Sequence, residues 1–144
     1  MFPTLRPDRQ DQESIVDVIH RYFWLVDHGR ADETAHLFIL LGRLTFGERA
    51  LKPGTIEGAA IGVAMLARSK QINVTTRHVV SNIILTARDE ASVEASFLLT
   101  LFRSEDSRLD TYPASIADVD DLFVRHEEHW RIQRRTIAPV FNRA

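Results

Sequence analysis

Residues 75–85 of this 144-residue chain read TTRHVVSNIIL, a β-branched run that contains one histidine, His78. Such a composition predicts a β-strand. Because side chains alternate between the two faces of a strand, four residues are predicted to share one face: His78, Val80, Asn82 and Ile84. An imidazole on a buried face is costly without a polar partner. We therefore expect His78 and Asn82 to face a cavity, with a partner for His78 nearby.

Three further strands are predicted after this one, because β-branched and aromatic residues recur between short polar links. The four predicted strands cover residues 75–87, 91–103, roughly 111–126 and 130–141. The segment 88–90 joins the first pair and the segment 127–129 joins the last pair, and links this short favour antiparallel hairpins. Pro113 has no amide proton to donate, so we expect it at a strand start or an unpaired edge.

Helical periodicity characterises the N-terminal half of the chain. The predicted elements are a helix from Asp8 or Asp11 to Gly29, a shorter helix from Ala31 or Asp32, a short strand at 43–46 and a third helix from Thr55 to Ala67. Three helices followed by a long meander predict an α+β domain. In this architecture one strongly curved, mainly antiparallel sheet wraps over the helices and leaves an open end.

The composition limits the classes of function. Eighteen Lys and Arg against twenty Asp and Glu give a net charge of -2, which argues against a nucleic-acid or anionic-membrane partner. The absence of cysteine excludes disulfides, thiolate metal sites and cysteine nucleophiles, and no His, Asp and Glu group has the helical spacing of a zinc motif. No signal peptide or membrane-spanning stretch is evident. We predict a single domain over residues 1–144 in a soluble, cytoplasmic protein without a metal.

Asp27 is the candidate partner for His78. It lies four residues after Phe23 at the end of the first predicted helix, beside the apolar stripe rather than opposite it. A carboxylate at this end is unfavourable, because the helix dipole favours cations there. Two interpretations remain: Asp27 is an exposed carboxylate of the last turn, or it faces the interior and pairs with His78.

Several short motifs occur in a characteristic order along the chain. They are Arg21-Tyr22, Asp27-x-Gly29, Thr76-Arg77-His78 with Asn82, Phe123-Val124-Arg125, and Trp130-Arg131-Ile132 with Arg135. Together they resemble the SnoaL-like group of the NTF2-like superfamily, which includes polyketide cyclases, scytalone dehydratase and steroid dehydratases. The resemblance covers nearly the whole chain and implies an NTF2-like cone, in agreement with the α+β architecture predicted above.

The resemblance also implies a chemistry. In this group a cofactor-free pocket holds a catalytic dyad at the positions of Asp27 and His78, and some members use a tyrosine at the position of Tyr22. We expect a lyase or isomerase of the dehydratase or cyclase type, in which His78 removes a proton next to a carbonyl of a cyclic or polyketide-like hydrophobic substrate. Asp27 orients the imidazole, and Tyr22 either assists as a donor or simply packs on the helix face. Three residues are expected to contact the substrate: Asn82, Phe23 and Trp24.

A non-catalytic role is the alternative, because this fold also serves as a small-molecule-binding or assembly subunit of larger enzyme complexes. We favour the enzyme because both dyad residues are present together. The resemblance further implies a homodimer or homotrimer that forms through the outer face of the sheet.

The other polar residues receive structural interpretations. The remaining histidines are expected at the surface: His20, His28, His36, His126 and His129. Charges near the C-terminus are expected to pair across strands on the outer sheet face: Arg131, Arg134 and Arg135 with Asp118, Asp120 and Asp121. On the strand at 91–103, Ser96 and Thr100 are the polar candidates for the inner face if Phe97, Leu99 and Leu101 point outward.

Overall fold

The computed structural model describes residues 5–106, 108 and 112–143. Over these residues the chain forms two α-helices, one 3₁₀-helix and six β-strands. The helices are α1 (Arg9–Asp27), the 3₁₀-helix Ala31–Leu37 and α2 (Ala59–Ser69). The strands are β1 (Phe38–Phe46), β2 (Gly54–Glu57), β3 (Thr75–Asp89), β4 (Ser92–Ser104), β5 (Ser115–His126) and β6 (His129–Asn142).

These strands form one curved, unclosed sheet in the order β2-β1-β6-β5-β4-β3. β1 runs parallel to β6, and the other neighbouring pairs are antiparallel. α1 lies on the inner face of the sheet, where it packs against β3 at one edge and against β6 further across. The predicted α+β cone, with helices packed in a mainly antiparallel sheet, is therefore confirmed.

The ends and the buried face of α1 are encoded locally. The side chain of Asp8 accepts a hydrogen bond from the backbone N–H of Asp11 at 2.8 Å, which is the predicted N-cap. Gly29 adopts a φ of +74°, a conformation that glycine reaches without a steric penalty, and the chain leaves the helix there. Between these ends, the apolar residues at helical spacing are buried: Ile15, Ile19, Tyr22, Phe23 and Val26.

The segment between α1 and α2 differs from the prediction in two places. The second helix is a 3₁₀-helix that ends at Leu37, and β1 begins at Phe38 rather than at residue 43. Thr55 does not cap a helix, because it lies in β2 with its hydroxyl 2.8 Å from that of Thr45. Gly58, with a φ of +57°, precedes α2 instead. The β-branched pair Thr55 and Ile56 favours this short edge strand over a helical turn.

The four predicted C-terminal strands are present, with ends that differ by a few residues. Thr111, the predicted start of the third, lies outside the described residues, and β5 begins at Ser115, just after Pro113. The last hairpin is tighter than predicted, because its turn consists of Glu127 and Glu128, with φ of +51° and +67°. Positive φ at both central residues is typical of a two-residue hairpin turn.

A β-bulge breaks the predicted alternation along β3. The register with β4 shifts around Asn82, which adopts a φ of +58°. Val80 packs against the core before the bulge and Ile83 does so after it, whereas Ile84 is 64% exposed. The predicted alternation therefore holds from His78 to Val80. It is wrong for Asn82 and Ile84, which do not share the face of His78. Asn82 is an exposed residue of the bulge.

The inner face of β4 carries its large apolar side chains. Phe97 and Leu99 are buried in the core. Ser96 lies on the outer face, where its hydroxyl donates to Asp120 at 2.7 Å, and Thr100 projects to the same side by alternation. The conditional prediction that Ser96 and Thr100 face inward is wrong, because burial removes more nonpolar area from water for Phe and Leu than for a hydroxyl side chain.

A buried ion pair is the largest departure from the predicted fold. Arg135 and Asp121 are predicted on the outer sheet face, but both side chains are fully buried. The guanidinium donates two hydrogen bonds to the carboxylate, from Nε at 2.8 Å and from Nη2 at 2.7 Å. β6 contains one extra residue relative to β5 between Ile132 and Arg134. This irregularity turns Arg135 inward, whereas simple alternation from Ile132 would turn Arg134 inward.

Removal of the partner of Arg135 is expected to destabilise the fold strongly. We predict that Asp121→Ala lowers the free energy of unfolding by about 3–5 kcal/mol, because it leaves a buried guanidinium without its counter-charge. Asp118→Ala, at an exposed position of the same strand, is the matched control and should change that free energy by less than about 0.5 kcal/mol. Urea unfolding measures both variants. Equal, small effects would show that the ion pair is not a structural requirement.

Candidate active site

A buried carboxylate joins the end of α1 to the start of β3. The side chain of Asp27, the last residue of α1, is 5% exposed, and that of His78 is 12% exposed. Oδ2 of Asp27 accepts a hydrogen bond from the backbone N–H of His78 at 2.7 Å. Oδ1 lies 2.6 Å from Nδ1 of the His78 ring. The structure thus brings the two residues together, and Asp27 is not an exposed carboxylate of the last turn.

Two further residues extend this hydrogen-bonded group. Thr76, which is buried, donates from Oγ1 to Oδ1 of Asp27 at 2.8 Å. The same hydroxyl oxygen accepts a hydrogen bond from Nη2 of Arg68, near the end of α2, at 2.9 Å. Arg77 donates to the backbone carbonyl of Asp27 at 3.1 Å rather than to its carboxylate. The carboxylate therefore accepts hydrogen bonds from three donors, all on β3.

These hydrogen bonds keep Asp27 ionised. Burial raises the pKa of a carboxyl group, because it disfavours the charged form. At Asp27, burial is outweighed by the ring and backbone N–H of His78 and by the hydroxyl of Thr76, so the pKa of Asp27 lies below its ordinary value. Donors from β3 therefore compensate for a position where both burial and the helix dipole disfavour an anion.

The hydrogen bond between Asp27 and His78 determines the tautomer of the ring. An ionised carboxylate only accepts hydrogen bonds, so Nδ1 of His78 carries the proton. Nε2 of the neutral ring then has a free lone pair, and no side chain or backbone group of the described residues donates to it. The pair can therefore act as an oriented base, in which Asp27 stabilises the imidazolium that forms when Nε2 takes a proton.

The His78 ring lies against an aromatic interior. The ring centroid of Phe23 is 5.0 Å from that of His78 and 6.2 Å from that of Phe97. The guanidinium carbon of Arg135 lies 5.1 Å from the Phe23 ring and 4.4 Å from the Tyr22 ring. Tyr22 and Phe23 themselves meet edge to face at 4.9 Å. Phe23 therefore connects the dyad with the buried cation, and such cation–π contacts help to hold Arg135 in place.

Two donors in this interior lack a strong acceptor. Nη1 of Arg135 is buried and has no hydrogen-bond partner among the described residues, although Nε and Nη2 both bind Asp121. The Tyr22 hydroxyl contacts Sδ of Met65 at 3.9 Å, and a thioether is a weak acceptor. Burial raises the pKa of Tyr22 more than the charge of Arg135 lowers it, so the phenol keeps its proton. The two donors lie close together, because the guanidinium carbon of Arg135 is 4.4 Å from the Tyr22 ring.

Asn82 and Trp24 lie apart from this group, whereas Tyr22 and Phe23 belong to it. Asn82 is exposed in the bulge of β3. Trp24 is 62% exposed and stacks on the ring of His28 with centroids 4.1 Å apart. The structure therefore does not bring the predicted substrate contacts of Asn82 and Trp24 together with the dyad.

The burial of three polar residues in this interior is not predicted from the sequence: Thr76, Asp121 and Arg135. Alternation would have revealed Thr76, because it lies two residues before His78 on the same face of β3. Nothing local in the sequence reveals Arg135, because its orientation depends on the register shift between β5 and β6.

Two other features are absent from the part of the chain that the structure describes. No group of three or more His, Cys, Asp or Glu side chains is arranged to hold a metal ion. No helix is both long enough and apolar enough to cross a membrane.

Solved structures share this fold over almost the whole chain. One is a candidate scytalone dehydratase from Novosphingobium aromaticivorans, with a TM-score of 0.77 and 15% identity over 93% of this chain and 87% of that chain. The beta subunit of a candidate aromatic-ring-hydroxylating dioxygenase from the same organism has a TM-score of 0.79 and 16% identity, over 94% and 92%. ActVI-ORFA from Streptomyces coelicolor has a TM-score of 0.77 and 12% identity, over 91% and 98%. Identities this low show a shared fold alone.

The sequence itself is informative at the level of the family. No curated protein matches it. The sequence profile of the SnoaL-like domain, however, matches residues 7–136, a span that contains α1, α2, β1 to β5 and the part of β6 that carries Arg135. Both Asp27 and His78 lie within this span. The chain therefore belongs to the family of SnoaL-like domains.

Proposed function

We propose that this protein is a cofactor-independent lyase or isomerase that removes a proton from the carbon next to a carbonyl group. The observation that carries the proposal is the hydrogen bond between Asp27 and Nδ1 of His78, which leaves Nε2 as an oriented base. Its setting is a mostly buried, aromatic interior. A histidine in this state suits proton abstraction near neutral pH.

Each step of the proposed reaction uses a group of this interior. Nε2 of His78 takes the proton, the electron pair of the C–H bond moves towards the carbonyl oxygen, and an enolate forms. Asp27 stabilises the resulting imidazolium. Nη1 of Arg135 and the hydroxyl of Tyr22 donate to the enolate oxygen, since preorganised donors are most effective where charge develops. In a dehydration the enolate then expels a hydroxyl group from the next carbon, and Tyr22 or the imidazolium supplies the proton that releases it as water.

The proposed substrate is a cyclic or polyketide-like hydrophobic compound with a carbonyl group. The rings of Tyr22, Phe23 and Phe97 supply apolar contacts, and a few donors fix the orientation of the oxygen, which is the usual composition of a small-molecule site. The fold shared with a candidate scytalone dehydratase is consistent with such chemistry.

The alternative is a small-molecule-binding or assembly subunit without catalytic activity. The fold shared with the beta subunit of a candidate dioxygenase favours it. The two proposals differ in what they require of Asp27 and His78. A subunit has no need of an ionised carboxylate in a costly position with a base held against it, so we favour the enzyme.

The proposed base is tested by proton exchange in D₂O. The wild-type protein should exchange the α-protons of at least one member of a panel of cyclic ketones and β-hydroxyketones. His78→Ala should slow this exchange by about 10²–10⁴-fold, because it removes the group that accepts the proton. Proton NMR measures the loss of the α-proton signal. His20→Ala, at an exposed position of α1, should exchange at the wild-type rate, and undiminished exchange by His78→Ala would contradict the proposal.

Acid unfolding tests whether Asp27 is ionised in the folded protein. Because its folded-state pKa lies below the unfolded value, the ionised form stabilises the fold above about pH 4, and this contribution is lost as the pH falls through the folded-state pKa. The difference in free energy of unfolding between wild type and Asp27→Asn should therefore shrink on acidification. Urea unfolding over a series of pH values measures it. Asp17→Asn, in an exposed pair with Arg21, is the control, and a constant difference for Asp27→Asn would be the contrary result.

We also propose that the chain self-associates through the outer face of its sheet. Val79 and Ile84 on β3 are 50% and 64% exposed and provide apolar area there. Light scattering should give the mass of a homodimer or homotrimer. A monomer would refute this proposal and would leave the proposed chemistry untouched.

A further inference from the structure

The carboxylate of Asp27 accepts three hydrogen bonds, and one of them comes from a residue other than His78. His78 supplies its ring Nδ1 and its backbone N–H. The third donor is the hydroxyl of Thr76, which shares Oδ1 with the ring at 2.8 Å. Thr76 is 3% exposed, so this hydrogen bond is protected from competing water.

The direction of this hydrogen-bond chain is determined by its first member. A guanidinium only donates, so Nη2 of Arg68 must give a hydrogen to Oγ1 of Thr76. The hydroxyl has a single proton of its own, and with a lone pair occupied by Arg68 that proton points to Asp27. The chain therefore runs from Arg68 through Thr76 and Asp27 to Nδ1 of His78, with each donor oriented towards the dyad.

The members of this chain come from three different elements. Arg68 lies near the end of α2, Thr76 and His78 lie on β3, and Asp27 ends α1. Without the hydroxyl, the carboxylate would still bind His78 but would lose the contact that connects it to α2. Small changes in the angle of a catalytic group can lower the reaction rate by large factors. Loss of the contact between the carboxylate and α2 is therefore expected to slow the reaction.

We propose that Thr76 and Arg68 are positioning residues for the dyad, which hold the Asp27 carboxylate in the orientation that directs Nε2 of His78 towards the substrate. This positioning role rests on the proposed function, because the orientation of Nε2 affects catalysis only if His78 is the base.

Other charged groups lie near the Asp27 carboxylate, and the test must distinguish the effect of Arg68 from theirs. Arg77 on β3 is exposed and donates to the backbone carbonyls of Asp27 and Thr76. Arg103 on β4 is directly opposite Thr76 in the sheet register. Burial and the charge of Arg103 both lower the pKa of Arg68. Among the described cations, Arg68 is the one that hydrogen bonds to the hydroxyl.

Thr76→Val tests the proposal because it keeps the shape of the side chain and removes only the hydroxyl. The hydroxyl favours the ionised form of Asp27, so its loss should move the titration of the Asp27 carboxyl, followed by ¹³C NMR, to higher pH. The rate of α-proton exchange should fall about tenfold or more, as expected for a lost hydrogen bond to a charged group. Thr76→Ser retains the hydroxyl and should behave as wild type.

Thr75→Val is the matched control, since it makes the same change at an exposed position of the same strand. It should leave the titration and the exchange rate unchanged. A Thr76→Val protein with the wild-type Asp27 titration and exchange rate would overturn the proposal. Should Thr76→Val fail to fold, Arg68→Met decides: it should move the titration in the same direction, and an unchanged titration would overturn the role of Arg68.

The titration requires no substrate, so the two proposals fail in different ways. A wild-type protein that exchanges no α-protons contradicts the proposed function, while the Asp27 titration still tests the orientation of the carboxylate. Wild-type exchange together with an unaffected Thr76→Val protein contradicts only the positioning role.

Discussion

Asp27 places a negative charge where both the end of a helix and an apolar interior disfavour one. The charge is stable there because β3 supplies three donors, two from His78 and one from Thr76. These donors reach the carboxylate only if the edge strand β3 curves towards the end of α1. The orientation of the His78 ring and the ionisation of Asp27 therefore depend on one buried hydrogen-bonded group, and that group in turn requires the curvature of the sheet.

The interior also contains an ion pair, and its side chains are less exposed than those of Asp27 and His78. Arg135 and Asp121 are fully buried and neutralise each other, and the rings of Tyr22 and Phe23 cover the guanidinium. Burial lowers the pKa of a guanidinium, but the carboxylate of Asp121 more than compensates, so the pKa of Arg135 lies above its ordinary value. A buried ion pair seldom adds stability compared with an apolar core of the same size. In this protein the pair leaves one donor, Nη1, on a guanidinium that lies against the same Phe23 ring as His78, and the proposed reaction uses this donor.

Most of the fold can be predicted from the sequence because its signals are local. The capping carboxylate of Asp8, the β-branched runs and the short polar links mark elements without reference to the rest of the chain. Alternation along β3 is reliable as far as Val80, and the position of Asp27 beside the apolar stripe indicates its partner. The remaining differences arise where register shifts: the bulge around Asn82 and the extra residue before Arg135 reverse the faces of the side chains that follow. No local pattern marks these irregularities, because they depend on the pairing of distant strands.

The most direct test of the dyad is the ¹⁵N chemical shift of each ring nitrogen of His78 in the wild-type protein at neutral pH. We expect Nδ1 to carry the proton, in a hydrogen bond to Asp27, and Nε2 to be unprotonated. This result would establish an oriented base before any substrate is known. A ring protonated on Nε2, or one that exchanges freely between the two tautomers, would contradict the central claim that Asp27 holds His78 ready to accept a proton.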